Sequence, residues 1–118
     1  MNNDMGLVYV IGNAANNTVK IGYAADLDRR LKELRTAYLP HGIRASALIA
    51  LREYRVPHAR QLEYFLHAQF ARSRLPREGF VIQSRRPGGQ GWTEWFALGS
   101  NGLARIDFRV AQFVGGYS

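Results

Sequence analysis

Apolar residues fall into distinct patterns along this chain, and each pattern predicts a different element. Leu7 to Ile11 is a short unbroken apolar run centred on Val8-Tyr9-Val10, which reads as a buried strand. Asn13-Ala14-Ala15-Asn16-Asn17 follows with residues that tolerate left-handed backbone, and Thr18 to Ile21 returns as the partner strand. Gly22 closes that strand where the chain turns sharply or where something approaches the backbone. Asp26 then suits a helix N-cap, with Leu27, Leu31, Leu34 and Tyr38 as one apolar stripe ended by Pro40-His41-Gly42. Arg30 flanks that stripe, whereas Arg29, Lys32 and Arg35 point more outward.

Ala45 to Leu51 has the length of a third strand, although its period is ambiguous. Pro57 suits the first turn of a second helix, whose stripe is Ala59, Leu62, Phe65, Leu66 and Phe70. From Ser73 to Gly91 the composition turns to Arg, Pro, Gly and Ser. That stretch reads as a loop or irregular hairpin around Phe80-Val81-Ile82. Trp92 to Leu98 resembles a short strand. Ser100 is placed to cap a last helix that buries Leu103, Ile106, Val110, Phe113 and Val114. No repeat and no linker divides the 118 residues, so one domain is expected over 1–118, with a core at about 7–98 and a C-terminal helix at about 100–114.

Charge narrows the set of partners. Lysine and arginine total 16 against 9 acids, a net charge of +7, and 14 of the 16 are arginine. The planar guanidinium fork matches phosphate better than a point charge does, so nucleic acid is the expected partner. There is no cysteine, which excludes disulfides, thiolate zinc sites and cysteine nucleophiles. Neither a signal-peptide pattern nor an apolar run of membrane-spanning length is seen, so a cytoplasmic location without membrane contact is expected.

Few side chains carry readable chemistry, and each also has a plain structural reading. Glu63 and His67, four apart, make a local helix pair or the start of a metal site; a single carboxylate with waters and phosphate is the usual way to hold Mg²⁺. Tyr9 on a buried strand is core or catalytic, Lys20 an edge-strand gatekeeper or a catalytic cation, and Arg30 a snorkelling side chain or a phosphate ligand. Their joint placement on consecutive elements points to chemistry on a nucleic-acid backbone. Arg72, Arg74, Arg77, Arg85 and Arg86 form either a solvated face or an arm that tracks phosphates, with Phe80 and Trp92 interleaved. Gly88-Gly89-Gln90-Gly91 lacks the Gly-Lys-Ser/Thr of a P-loop and reads as loop.

Leu7-Val8-Tyr9, Lys20-Ile21-Gly22, Arg30 eight residues after that glycine, and Glu63 together resemble the GIY-YIG nuclease superfamily. A divergent phage-type and bacterial branch is similar in more detail. Its Arg-Arg-Leu-Lys-Glu-Leu helix, Glu-x-x-x-His pair and late Glu-Trp-Phe match Arg29 to Leu34, Glu63 to His67, and Glu94-Trp95-Phe96. The first motif lacks its glycine and isoleucine, and Lys20 stands where the second motif has tyrosine; Tyr23 offers a substitute hydroxyl.

The resemblance implies an α+β fold: a small three-stranded antiparallel sheet flanked by helices, with an Arg/Gly-rich insertion and a C-terminal helix. It implies a metal-dependent endonuclease that hydrolyses phosphodiester bonds of DNA, which is preferred to RNA. Tyr9, Lys20, Arg30 and His67 would be catalytic, and Glu63 would hold one Mg²⁺ or Mn²⁺. Tyr23, Arg29, Lys32, Arg35, Arg72, Arg74, Arg85 and Arg86 would contact nucleic acid, with Gly22 and Trp95 as structural motif positions. The alternative is a degenerate module of the same fold that binds without cutting. A cutter this small would draw specificity from a homodimer, a partner protein or a structure-selective substrate.

Overall fold

In the computed structural model the described residues are 6–14, 17–39, 44–75 and 95–116. Strand β1 (Gly6–Asn13) is the continuous apolar run, and it is buried because both of its faces are covered. β2 (Thr18–Ala24) pairs antiparallel with it, so that Tyr9 faces Gly22 and Ile11 faces Lys20. Asn17 in the connecting turn has φ +58°, a left-handed conformation that asparagine adopts more readily than most residues.

Helix α1 (Leu27–Tyr38) begins where the apolar stripe begins. Asp26 accepts a hydrogen bond from the Arg29 backbone N–H at 3.2 Å, the N-cap the sequence predicts. The third strand starts later and runs further than its apolar content suggests. β3 spans Leu48–Val56, preceded by a single 3₁₀ turn at Ala45–Ala47. It is a sheet edge, so the charged residues Arg52, Glu53 and Arg55 fit a strand whose outer side reaches water. Helix α2 (Ala59–Gln69) starts two residues after Pro57, with His58 in left-handed conformation as its N-cap.

The sheet has four strands, not three, in the order β3-β1-β2-β4. β4 is only Trp95–Phe96, and it pairs with Lys20 and Val19. So short a strand carries no period of its own, which is why the sequence suggests it only as part of a longer segment. In helix α3 (Gly102–Gly115) Asn101 rather than Ser100 holds the N-cap position, without a side-chain capping bond; Ile106 and Val110 are buried, whereas Val114 is exposed. The Pro40-His41-Gly42 stop and the Arg/Gly-rich stretch from Pro76 to Glu94 lie outside the described residues.

Strand alternation divides the core in two. Leu7, Tyr9 and Ile11 face α1 and pack with Leu27, Leu34, Tyr38, Leu48 and Trp95. Val8 and Val10, with Ile21 and Phe96, face α2 and α3 and meet Leu62, Leu66, Phe70, Ile106 and Val110. Under α1, the buried Trp95 indole N–H donates to the Tyr38 hydroxyl at 3.1 Å, joining the two rings through their polar ends.

A polar clasp ties α3 to β3. Arg52 donates to both carboxylate oxygens of Asp107, Nε to Oδ1 at 3.0 Å and Nη2 to Oδ2 at 3.1 Å, and the Tyr54 hydroxyl donates to Oδ1. The hydrogen bonds from Arg52 hold the Asp107 carboxyl below the usual carboxylate range; burial opposes this and the Tyr54 bond reinforces it. Burial, and next the bond to Asp107, pushes the Tyr54 phenol up. A depressed carboxylate pKa contributes stability above the unfolded value of ~3.9 that is lost as pH falls through the folded value. The melting temperature of Asp107→Asn is therefore expected below that of the parent at neutral pH, with the gap closing under acid. A gap that persists undiminished in acid would mean the ionic contribution is absent.

Candidate active site

Gly22 lets two parts of the chain approach closer than any other residue would. Tyr9 lies across β2 on the α1 face, and a Cβ at Gly22 would collide with the Tyr9 phenolic oxygen and Cζ. The space a side chain would fill is occupied by the ring. Tyr9 is 1% exposed, and its hydroxyl accepts a hydrogen bond from Arg30 Nε at 3.3 Å. Arg30 comes from the first turn of α1 and also reaches Glu33 Oε1 at 3.3 Å. Its side chain is 22% exposed, so it joins the buried phenol to the surface. Burial pulls the Arg30 pKa down, but the bonds to Tyr9 and Glu33 outweigh it and raise the value, so the guanidinium is a fixed cation.

Lys20 lies on the same face and is fully buried, between Ile11 and Trp95 in the sheet. Its ammonium is 5.9 Å from the centroid of the Tyr9 ring. A lysine at 0% exposure is a costly placement for an edge-strand gatekeeper, whose charge serves by reaching solvent. β4 covers it: the Trp95 side chain is also at 0% exposure beside it.

On the other face, α2 presents Arg60, Glu63 and His67 along one side, spaced three and four apart. Arg60 sits 4.7 Å from the centroid of the Tyr23 ring. His67 Nε2 is 2.8 Å from the Ile21 carbonyl oxygen, and its Nδ1 is 3.1 Å from Arg74 Nη2. Since arginine only donates, Nδ1 accepts and Nε2–H donates, which assigns a neutral imidazole with both nitrogens engaged. Both ends of this side of α2 thus rest on β2, at Tyr23 and Ile21. Glu63, partly buried, lies between Arg60 and His67 on this side of the helix. Tyr9 reaches Gly22 from the α1 face of the sheet, with Arg30 bonded to its hydroxyl.

The remaining sequence-selected residues divide by location. Arg29 and Lys32 are exposed on α1, and Arg29 pairs loosely with Glu33 at 3.6 Å. Arg35 is partly buried and donates to the Leu48 carbonyl at 2.8 Å, so it joins α1 to β3. Arg72 is exposed in the 3₁₀ turn Ala71–Ser73. Arg74 lies over the Phe96 ring at 5.7 Å while it holds His67. Arg85 and Arg86 lie outside the described residues. Arg60 escaped the sequence reading; its spacing of three from Glu63 was the available signal.

A carboxylate oxygen is the hard ligand that Mg²⁺ or Mn²⁺ takes, and Glu63 is the one acid on this side of α2. Among the described residues no three His, Cys, Asp or Glu side chains gather as a metal cage, and none of the described helices is long and apolar enough to cross a membrane.

No curated protein and no solved structure matches the chain. The family model that does match, over residues 6–110, is the T5orf172 domain. It overturns the assignment to the GIY-YIG superfamily: this is a distinct family, associated in phages with endonuclease-type domains. The departures already visible at Leu7-Val8 and Lys20, where that superfamily has glycine-isoleucine and tyrosine, agree with the correction. With the match running from the first residue of β1 into α3, the chain belongs to the T5orf172 domain family, which supports a nuclease-like or nucleic-acid-binding module.

Proposed function

We propose that the chain is a metal-dependent endonuclease that hydrolyses phosphodiester bonds of DNA, with Arg30 and Glu63 as its working groups. The observation that carries this reading is the Tyr9–Arg30 hydrogen bond. It fixes a permanently charged guanidinium at the surface beside the strand that Glu63 overlooks.

Arg30 binds the non-bridging oxygens of the scissile phosphate and offsets the charge that develops as water attacks phosphorus. The bond to the leaving sugar oxygen breaks in the same displacement; the attacking water loses a proton to solvent and the leaving oxygen takes one from it. Tyr9 acts through Arg30: at 1% exposure its hydroxyl holds the guanidinium rather than meeting water. Lys20 stands beside the phenol, its Nζ 5.9 Å from the ring centroid, and helps fix where the ring lies. His67, its two nitrogens engaged, anchors α2 to β2 and so sets where Glu63 stands. Glu63 would hold one Mg²⁺ or Mn²⁺, which supplies Lewis-acid charge at the phosphate. Exposed Arg29 and Lys32, next to Arg30 on α1, and Arg72 at the far end of α2 extend a basic surface for the backbone.

A binding-only module is the competing reading, and the burial of both Tyr9 and Lys20 favours it. Labelled single- and double-stranded DNA, incubated with Mg²⁺, Mn²⁺ or EDTA, separates the two. Cleavage is expected with either cation and is expected to vanish on chelation. Cutting that survives EDTA would remove the metal from the reaction, and binding without cutting under either cation would leave the binding-only module.

A further inference from the structure

We propose that the outer face of α3 around Phe108 is a second nucleic-acid contact, one that stacks an unpaired base of a single strand. The class of occupant rests on the nucleic-acid reading above; the site itself does not use Glu63 or Arg30. Phe108 is 63% exposed, although its helix neighbours Ile106 and Val110 are buried in the core. α3 therefore already has its apolar face, and Phe108 is not part of it.

The surroundings of Phe108 are those of a nucleotide site. Arg109 lies 5.6 Å from its ring centroid, and Arg105 stands one turn before it. Arg105 is anchored, with Nη1 donating to the Leu98 carbonyl at 3.0 Å and its guanidinium 5.3 Å from the Phe70 ring centroid. These side chains, with Gln69 and Ala104, line an open cavity of about 260 Å³ between the end of α2 and α3. That is smaller than the ~300–1,000 Å³ of most small-molecule pockets, and it suits one flat ring better than a larger ligand. The Gln69 amide at the cavity can both donate to and accept from a base edge.

Charge and shape select the occupant. Two arginines beside one exposed aromatic, on a chain of net charge +7, match a phosphate next to a base. A duplex keeps its bases stacked on one another, so the strand that offers a free π-face is unpaired. α3 packs on the side of α2 that carries Phe65, whose ring is 5.4 Å from that of Phe113. Glu63 and His67 lie on the opposite flank, toward β2, so this contact is separate from the candidate active site.

Binding in EDTA of a short labelled oligothymidylate, beside a duplex, tests the proposal on the full chain. Phe108→Ala is expected to weaken the oligothymidylate by about ten-fold or more, to leave its salt dependence unchanged and to spare the duplex. Phe108→Trp should restore affinity, and Arg109→Ala should lower the salt slope by about one. Because Phe108 is exposed, circular dichroism of the variant should match the parent. Equal affinity of parent and Phe108→Ala would overturn the proposal. So would a dimer in sedimentation that Phe108→Ala dissolves, since the face would then belong to a second copy. A chain that cuts with Phe108→Ala binding unchanged loses this contact only, and one that never cuts but shows the Phe108 effect loses only the enzyme.

Discussion

Glu63→Ala is expected to remove cleavage by about 10³-fold or more while folding and DNA affinity in EDTA stay near the parent. The argument begins with its position. Glu63 is partly buried on the side of α2 that overlooks β2, whereas the core contacts of the helix are made by Ala59, Leu62 and Leu66. Removing it opens no core cavity, and alanine is a better helix former than glutamate, so the fold should tolerate the change. The chemistry should not tolerate it. Polarisation by a bound cation is worth several kcal/mol of transition-state charge, and each ~1.4 kcal/mol is a decade in rate. Affinity measured without metal rests on the arginines, which are unchanged. Cleavage rates, circular dichroism and EDTA binding on one preparation give the three readouts. Cutting retained within ten-fold of the parent would take Glu63 out of the mechanism.

What was legible in the sequence follows the range of the interaction involved. The β1–β2 hairpin, the Asp26 cap and the α1 stripe depend on neighbours close in the chain, and they appear where the local pattern puts them. The end of β3 does not, because a sheet edge admits charged residues such as Arg52, Glu53 and Arg55 that dilute its apolar period. β4 pairs with β2 across more than seventy residues, so the local pattern suggests a strand over Trp92 to Leu98 but neither its two-residue length nor its partner. The Arg52–Tyr54–Asp107 clasp spans 53 and 55 positions and left no local trace. At the candidate site the pairing of Tyr9 with Gly22 follows from strand register, and register follows from the tight turn. Burial of Lys20 and the holding of His67 from both sides come from β4 and Arg74, and neither is local. The family assignment failed for a related reason: spaced motif residues are shared more widely than the packing residues around them.

Gly22→Ala is expected to destabilise the fold and to cut activity by about 10²-fold, an outsized effect for one methyl group. On propensity alone the change should help, since alanine in a strand interior gains about 0.5–1 kcal/mol over glycine. Here the new Cβ enters the volume of the Tyr9 ring and hydroxyl, both buried and hemmed by α1. Overpacking of this kind costs about 1–3 kcal/mol, which exceeds the propensity gain. A ring pushed off by the new Cβ is expected to shift the hydroxyl that holds Arg30, and a reacting group misplaced by ~1 Å loses about 10²-fold. A double-mutant cycle isolates the cause. Tyr9→Ala alone should cost about 3–5 kcal/mol through its cavity, and adding Gly22→Ala to it should cost nothing further, because the collision is gone. Denaturant unfolding of the four proteins reads the coupling, and cleavage assays on the parent and Gly22→Ala read the displacement. Additive stabilities would mean that β2 shifts to accept the methyl group. The geometry of Tyr9 and Arg30 would then owe nothing to the missing side chain at Gly22.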